Sequence, residues 1–211
     1  MSTARDRSAR WRRYWDKHSG TYDRQMGFMD RVLFGDSRQW ACSRAVGDVL
    51  EVAVGTGLNL AVYPDDVTLT GIDLSEDMLA IARGRAAGLG RPVTLLQGNA
   101  HALPFDDAAF DTVVCTFGLC AIPDIDAAVK EMRRVLRPGG RLVLVDHVRS
   151  SSPVARAVQR LLEVVTVPLA GEHFLRRPLH VVREAGFTVD DAQRFKIGIV
   201  ERVSARKPAT P

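Results

Sequence analysis

Gly55, Gly57 and Asn59 follow directly after the first apolar run that predicts a strand, and Glu51 and Ala53 stand within that run. Glycine lets the backbone pass close to a ligand, so a turn of this composition could cradle one. A dinucleotide site would need a third glycine where Leu60 stands, and a P-loop would need a following Gly-Lys-Ser/Thr. The stretch therefore indicates either a different ligand or a plain turn from strand to helix.

Polar side chains also follow the next predicted strands. Asp73 stands in Gly-Ile-Asp-Leu-Ser, where a carboxylate could accept hydrogen bonds from two ribose hydroxyls. The alternative interpretation of Asp73 is a solvent-exposed residue at a helix start. Asn99 and Ala100 follow the third strand, where a small polar residue could meet the edge of an adenine.

Histidine is the residue type best suited to acid–base chemistry near neutral pH. His147 comes just after the fifth predicted strand, and His173 stands in Gly-Glu-His-Phe. Either ring could serve as a base or orient a substrate, although a structural hydrogen bond to the backbone is an equal alternative for His147. The three cysteines have neither metal-ligand nor disulfide spacing, so no metal is expected.

Alternating strands and helices must position these residues. Apolar runs predict strands at 49–54, 67–72, 93–97, 112–115 and 141–146. Helical periodicity lies between them, with Ser75 and either Asp124 or Asp126 at N-cap positions. The pattern predicts an α/β fold with a doubly wound, mostly parallel Rossmann-like sheet and a helical N-terminal cap. Ligands of such sheets bind beyond the carboxyl ends of the strands.

The ordered set of motifs over 49–148 resembles the class I S-adenosylmethionine-dependent methyltransferases. That resemblance implies that the glycine turn supports the methionine moiety, Asp73 holds the ribose, and Asn99 and Ala100 border the adenine. This sequence departs from the family at Ala53, where members of the family have the first glycine of the turn. The cofactor residues implied are Tyr22, Glu51, Ala53, Gly55, Gly57, Asn59, Asp73, Leu74, Met78, Asn99, Ala100 and Thr116.

Two subgroups of that family share flanking segments with this sequence. The stretch VVCTFGLCAIPD is similar to methyltransferase-like proteins that methylate alkyl thiols. The stretch YDRQMGFMDR is similar to bacterial phosphatidylethanolamine N-methyltransferases and, more loosely, to quinone C-methyltransferases, in which a tyrosine at the position of Tyr22 helps close the cofactor site. These resemblances imply methyl transfer to a small, hydrophobic acceptor, with a thiol or amine favoured. Phospholipid or quinone methylation and a non-catalytic cofactor-binding scaffold are the alternatives.

Composition sets the remaining expectations. The sequence has 211 residues, a net charge of +4 and no apolar run long enough for a signal peptide or a membrane span, so we expect a cytoplasmic protein. Its N-terminal cations could form a solvated helix face or a weak contact with an anionic membrane; they are Arg5, Arg7, Arg10, Arg12, Arg13 and Lys17. No nucleic-acid motif is present, and no protein partner is implied.

We expect a single domain built from four consecutive parts. They are a helical cap at 1–44, a cofactor-binding core at 45–148, a substrate cover at 149–186 and terminal strands at 187–211. An apolar helix surface in the cover could line a pocket for a hydrophobic acceptor, or it could pack on the sheet. Its residues are Ala157, Val158, Leu161, Leu162, Val165 and Leu169.

Overall fold

The computed structural model describes residues 4–209, and side chains within 9–209, so the side chains of Arg5 and Arg7 lie outside the described part. In chain order its elements are α1 (Ala4–Met29), a π-helical turn (Asp30–Phe34), α2 (Ser37–Cys42), β1 (Asp48–Val52), β2 (Thr68–Asp73), α3 (Glu76–Leu89), β3 (Val93–Gln97), β4 (Phe110–Thr116), α4 (Ile125–Val135), β5 (Leu136–His147), α5 (Pro153–Ala170), α6 (Pro178–Glu184), β6 (Thr188–Phe195) and β7 (Val200–Arg206).

The seven strands form one sheet in the order β3-β2-β1-β4-β5-β7-β6. All neighbours pair in parallel except β7, which runs antiparallel to both β5 and β6. The strand order reverses between β1 and β4, which is the switch point where ligands bind in doubly wound sheets. The predicted fold class, with its helical N-terminal cap, is therefore confirmed.

Hydrophobic cores cover both faces of the sheet because alternate residues of each strand point to opposite sides. In β4, Val113 and Cys115 belong to the core that contains α4 and α6, whereas Val114 belongs to the core that contains α2 and α3. Burial on both faces explains why this strand reads as a continuous apolar run.

Helices α3 and α4 begin at N-cap residues that the sequence predicts. The Ser75 hydroxyl accepts a hydrogen bond from the Met78 amide at 3.2 Å, and an Asp124 carboxylate oxygen accepts one from the Ala127 amide at 2.9 Å. Each cap satisfies a backbone donor that has no partner inside the helix. The cap at Ser75 also fixes the start of α3 immediately after Asp73.

Gly20 and Gly27 lie inside α1 without interrupting it, and the helical segment that α1 and the π-helical turn form together ends at Gly35, where φ is +59°. The segment after Gly57 forms turns and no regular helix. The segment Arg137-Pro-Gly-Gly is part of β5, because this strand begins at Leu136, which pairs with Phe110 of β4. Within residues 4–209, no helix combines the length and apolar character that crossing a membrane requires.

Candidate active site

A cleft lies at the carboxyl ends of β1, β2 and β4 and encloses about 790 Å³, its open mouth included. Most of the cofactor residues expected from the sequence line it: Tyr22, Ala53, Gly55, Asp73, Leu74, Met78, Asn99 and Ala100. Parallel strands bring their carboxyl ends to one edge, so positions distant in sequence meet at this cleft.

Asp73 is the acidic group of the cleft. One carboxylate oxygen accepts a hydrogen bond from the Gly55 amide at 2.8 Å, and the other accepts one from the Ser75 amide at 2.9 Å. Burial raises the pKa of Asp73, while these backbone donors act in the opposite direction. Each oxygen keeps further acceptor capacity toward the cleft, so the carboxylate is held in place to receive hydroxyl donors.

The two glycines of the turn have different roles. Gly55 has φ of +57°, and a Cβ placed there would have only the Tyr22 ring within 4 Å, at 3.9 Å. Gly57 has φ of +77°, and a Cβ there would come within 2.7 Å of Leu60 and 3.2 Å of Ala82. Gly55 therefore leaves open space on the cleft side, whereas Gly57 is required for the packing of the turn.

Glu51, Asn59 and Thr116 lie behind the cleft wall. The Asn59 amide donates to Glu51 at 2.7 Å and to the Thr116 hydroxyl at 2.9 Å, and Arg38 donates to the Asn59 oxygen at 3.0 Å. Burial raises the pKa of Glu51 to about 7. Like Gly57, these three expected cofactor residues do not line the cleft. Glu51, Asn59 and Thr116 form a buried hydrogen-bond network beneath the glycine turn.

Helix α1 covers the cleft with an aromatic face formed by Trp11, Trp15 and Tyr22. Trp15 and Tyr22 meet edge to face, with ring centroids 6.1 Å apart. Burial raises the pKa of the Tyr22 hydroxyl, so this side chain remains a neutral hydrogen-bonding group. Trp11 and Trp15 were not among the expected cofactor residues, although their helical spacing with Tyr22 was visible in the sequence.

Two aspartates fasten α1 to the core. Asp16 accepts a hydrogen bond from the Ser75 hydroxyl at 2.5 Å, and Asp23 accepts one from the Thr56 hydroxyl at 2.5 Å while pairing with Arg85. Both contacts reach the turns that carry Asp73 and Gly55. A ligand that orders those turns should therefore also hold α1 in place.

We expect S-adenosylhomocysteine to protect α1 from proteolysis. At saturating ligand, tryptic cleavage after Arg13 and Lys17 should slow by about tenfold or more, because cleavage requires an open state that the ligand does not bind. Cleavage after Arg160, which is exposed on α5, serves as the internal control. Equal cleavage rates at Lys17 with and without ligand would show that α1 is not a lid.

The structure does not bring His147 or His173 to the cleft wall. The His147 ring stacks on Phe174, with centroids 4.7 Å apart, and its Nε2 lies 3.3 Å from Glu172. Burial alone would lower the pKa of His147, but the hydrogen bond to Glu172 and the charge of Asp146 outweigh it and raise the pKa. Burial lowers the pKa of His173, whose backbone amide donates to the Cys120 carbonyl.

Among residues 4–209, Cys120, His147 and Glu172 bring one potential metal-ligand atom each within 4.8 Å of one another. A cysteine binds metal as the thiolate. Burial raises the pKa of the Cys120 thiol well above its usual value, and the nearby Asp146 adds to the shift. A metal could bind here only with loss of the Cys120 proton.

The cleft wall opposite Asp73 is formed by the segment that follows β4. It includes Phe117, Gly118, Ala121, Ile122 and Pro123. The stretch VVCTFGLCAIPD, residues 113–124, carries the resemblance to thiol-methylating proteins, but only Thr116 within it was expected to contact the cofactor. His101 also lines the cleft, and its Nε2 accepts a hydrogen bond from the Asp124 amide at 3.2 Å. Its place two residues after Asn99 was the signal available in the sequence.

Comparison with known proteins agrees with this geometry. Residues 50–144 match a family described as methyltransferase domain. Over these residues the chain is similar to a methyltransferase domain. The resemblance inferred from the motifs is thus confirmed for this core, which includes the glycine turn, Asp73 and both walls of the cleft.

The chain is 47% identical over 119 residues to a phosphatidylethanolamine N-methyltransferase of Cereibacter sphaeroides, covering 55% of this chain and 58% of that protein. It is 39% identical over 132 residues to a demethylmenaquinone methyltransferase of Staphylococcus aureus, covering 60% and 54%. The chain thus spans just over half the length of these curated relatives.

A solved structure shares the fold of this methyltransferase domain. A S-adenosylmethionine-dependent methyltransferase of Thermotoga maritima superposes with a TM-score of 0.69 at 24% identity, covering 92% of this chain and 98% of that one.

Proposed function

We propose that this protein is an enzyme that transfers the methyl group of S-adenosylmethionine to a small lipophilic acceptor, a thiol or an amine. One observation carries the proposal: Asp73 and the pair Asn99–Ala100 face one cleft at the switch point of a methyltransferase domain. A carboxylate beside small polar and apolar walls suits a ribose next to a purine. A reducing, cytoplasmic location is part of the proposal, and the three free cysteines support it.

The residues present fit this cofactor. Asp73 would accept from the ribose hydroxyls, and Asn99 and Ala100 would border the adenine. The apolar side chains of Ile72, Met78 and Ile122 line the same cleft and suit the faces of an aromatic ring. At Gly55 the open space described above would admit the methionine end, above the buried network of Glu51. When bound, the cofactor supplies a methyl group already activated on a sulfonium.

The chain's own contribution is then mainly to position the acceptor and exclude water. A reacting atom has to be held in line with the methyl group at roughly 3 Å. Of the described residues, only His101 and Asp73 bring a basic side chain to the cleft wall, and both already accept hydrogen bonds there. This arrangement favours an acceptor that needs little help to lose a proton.

A thiol meets that condition best. Its ordinary pKa of about 8.5 leaves a few per cent as thiolate at neutral pH, whereas an aliphatic amine has an ordinary pKa near 10.4. We keep the prediction that His147 or His173 takes part, which requires the cover at 149–186 to bring His173 toward the cleft or to withdraw Phe174 and Glu172 from the His147 ring. A pH profile of His147→Gln identical to that of the wild-type protein would remove His147 from the chemistry.

The second candidate is methylation of a membrane lipid amine. The Cereibacter sphaeroides relative supports it by its name, and the exposed apolar residues of α5 described below would suit a lipid surface. A quinol is the third acceptor class, on the weaker ground of the Staphylococcus aureus relative.

An acceptor comparison tests this proposal. Formation of S-adenosylhomocysteine is measured with a small hydrophobic thiol, an alkyl amine, a quinol and phosphatidylethanolamine vesicles. We expect measurable transfer to the thiol, with a rate that rises from pH 6 to pH 8.5 as the thiolate fraction grows. Transfer to the lipid amine or the quinol without transfer to the thiol would overturn the thiol assignment. No turnover with any acceptor, despite cofactor binding, would favour the scaffold alternative.

A further inference from the structure

Helix α5 displays its apolar side chains to solvent. Seven large hydrophobic residues on this helix are between 45% and 76% exposed: Val154, Val158, Leu161, Leu162, Val164, Val165 and Leu169. Most of them recur at steps of three and four, so they share one face, here called the α5 face. The expectations that this surface lines a pocket or packs on the sheet are therefore wrong for these side chains.

The same helix is fastened to the protein by its polar side chains. Gln159 is buried, accepts from the Ser150 amide at 2.9 Å and donates to the Val148 carbonyl at 2.9 Å. Glu163 accepts from the Leu175 amide at 2.8 Å, and Thr166 donates to the Glu172 carbonyl at 3.0 Å. An ordinary surface helix does the reverse, with its apolar stripe toward the core. Such an arrangement leaves the α5 face suited to an apolar partner.

A strongly basic cleft adjoins the first turn of α5. It encloses about 760 Å³ and is lined by six arginines, which are Arg149, Arg156, Arg176, Arg177, Arg183 and Arg194. Its lining contains one carboxylate, Glu201, which lies 3.4 Å from Arg194. Among the described side chains, Arg149, Arg177 and Arg183 have no carboxylate within 4.0 Å. The cleft therefore carries a net positive charge available to an anion.

Helix α5 runs from this basic cleft toward the mouth of the active-site cleft. In its first turns, Arg156 lines the basic cleft from the side of the helix opposite to the α5 face. At its other end, Arg10 of α1 donates to the Pro168 carbonyl, and the Trp11 ring packs against Gly171. Trp11 itself lines the active-site cleft. The α5 face therefore lies between a basic cleft at one end of the helix and a contact with the active-site lining at the other.

We propose that the α5 face docks on an anionic phospholipid surface, with its apolar side chains entering the acyl boundary and the arginines of the basic cleft meeting lipid phosphates. Apolar residues flanked by cations are the composition of helices that lie in a membrane interface. A second copy of the chain is a poorer occupant, because a pairing α5 face presents apolar side chains and would leave the arginines of both basic clefts without an anionic partner. Docking does not depend on methyl transfer, so the two proposals can fail separately.

Co-sedimentation with vesicles tests the apolar half of the proposal. The wild-type chain should bind vesicles of mixed phosphatidylglycerol and phosphatidylcholine, and binding should weaken as salt is raised. The variant Leu161→Glu/Val165→Glu should bind at least about tenfold more weakly, because two apolar side chains no longer enter the lipid. The matched control is Val46→Glu/Leu89→Glu, which places the same changes at exposed positions outside α5. The control should bind like the wild-type protein.

Removing cations tests the electrostatic half. Arg177→Gln/Arg183→Gln should lower affinity for anionic vesicles by about tenfold or more, at about 1 kcal/mol per arginine. Arg24→Gln/Arg31→Gln removes the same charge from exposed positions in α1 and the π-helical turn and should have a small effect. Circular dichroism checks that each variant is folded, and light scattering gives its oligomeric state.

The proposal is overturned if the folded wild-type chain does not bind anionic vesicles, or if the α5 variant binds as well as its control. It is also overturned if the wild-type chain is a dimer that the α5 variant dissociates, with no vesicle binding, since the face would then be an interface between copies. Equal effects of the two arginine variants would show general attraction and remove the basic cleft from the proposal.

Discussion

Replacing Asp73 by alanine is expected to weaken S-adenosylhomocysteine binding by about tenfold to several hundredfold. Hydrogen bonds to a charged group contribute roughly 1.5–3 kcal/mol each, and about 1.4 kcal/mol corresponds to a tenfold change in affinity. Asp73 is already oriented by the Gly55 and Ser75 amides, so little ordering of the carboxylate is needed when a ribose binds. Calorimetric titration of the folded variant measures the effect.

Two variants make the Asp73 experiment specific. Asp77→Ala removes the same charge from an exposed position in the first turn of α3 and should leave affinity nearly unchanged. Asp73→Asn keeps an acceptor for one of the two backbone amides and should lie between the alanine variant and the wild-type protein. Unchanged affinity of folded Asp73→Ala for S-adenosylhomocysteine would contradict the assignment of Asp73 to the ribose.

The second large effect is expected at Gly118. A Cβ at this position would lie 2.7 Å from the Ala53 Cβ, closer than such atoms approach, and 3.1 Å from the Cys115 sulfur, which is a tight contact. Ala53 and Gly118 both line the active-site cleft, so the clash has to push one wall inward or distort it. Overpacking of this kind costs about 1–3 kcal/mol. Gly118→Ala should therefore weaken S-adenosylhomocysteine binding and slow turnover by about tenfold or more.

A compensating change identifies the cause of the Gly118 effect. Ala53 has φ of +58°, a conformation that glycine adopts without strain. Ala53→Gly in the same chain removes the facing methyl group and should restore most of the lost affinity. Gly84→Ala, a helical glycine with nothing within 4 Å of its added Cβ, is the control and should bind normally. A double variant no better than Gly118→Ala would show that this clash does not narrow the cleft.

Much of the fold could be predicted because it depends on signals that are local in sequence. The third strand has the bounds expected from its apolar run, and Ser75 caps α3 as its sequence indicates. Asp73 reached the cleft because parallel topology brings all strand ends to one edge, whatever the intervening loops do. Topology therefore brings the backbone at the end of a parallel strand to the cleft, but it does not fix the direction of the side chain.

Other features depend on which way a side chain points, which the sequence does not determine. Glu51 and Thr116 stand at strand ends but face a buried hydrogen-bond network beneath the turn. His147 ends β5 as expected, yet Phe174 and Glu172 hold its ring away from the cleft wall. For α5, the apolar spacing identified residues that share a face, but not whether that face is buried. The exposure of those residues and the hydrogen bonds of Gln159 show that the face points outward.

The most direct test of the account is the transfer of a labelled methyl group from S-adenosylmethionine to a lipophilic acceptor, with both products measured. The account predicts that the wild-type protein forms S-adenosylhomocysteine and a methylated, organic-soluble product in equal amounts. Asp73→Ala should be at least about tenfold slower at limiting cofactor, while Asp77→Ala should match the wild-type rate. A folded wild-type protein that neither binds S-adenosylhomocysteine nor transfers label to a thiol, amine, quinol or phospholipid would contradict it.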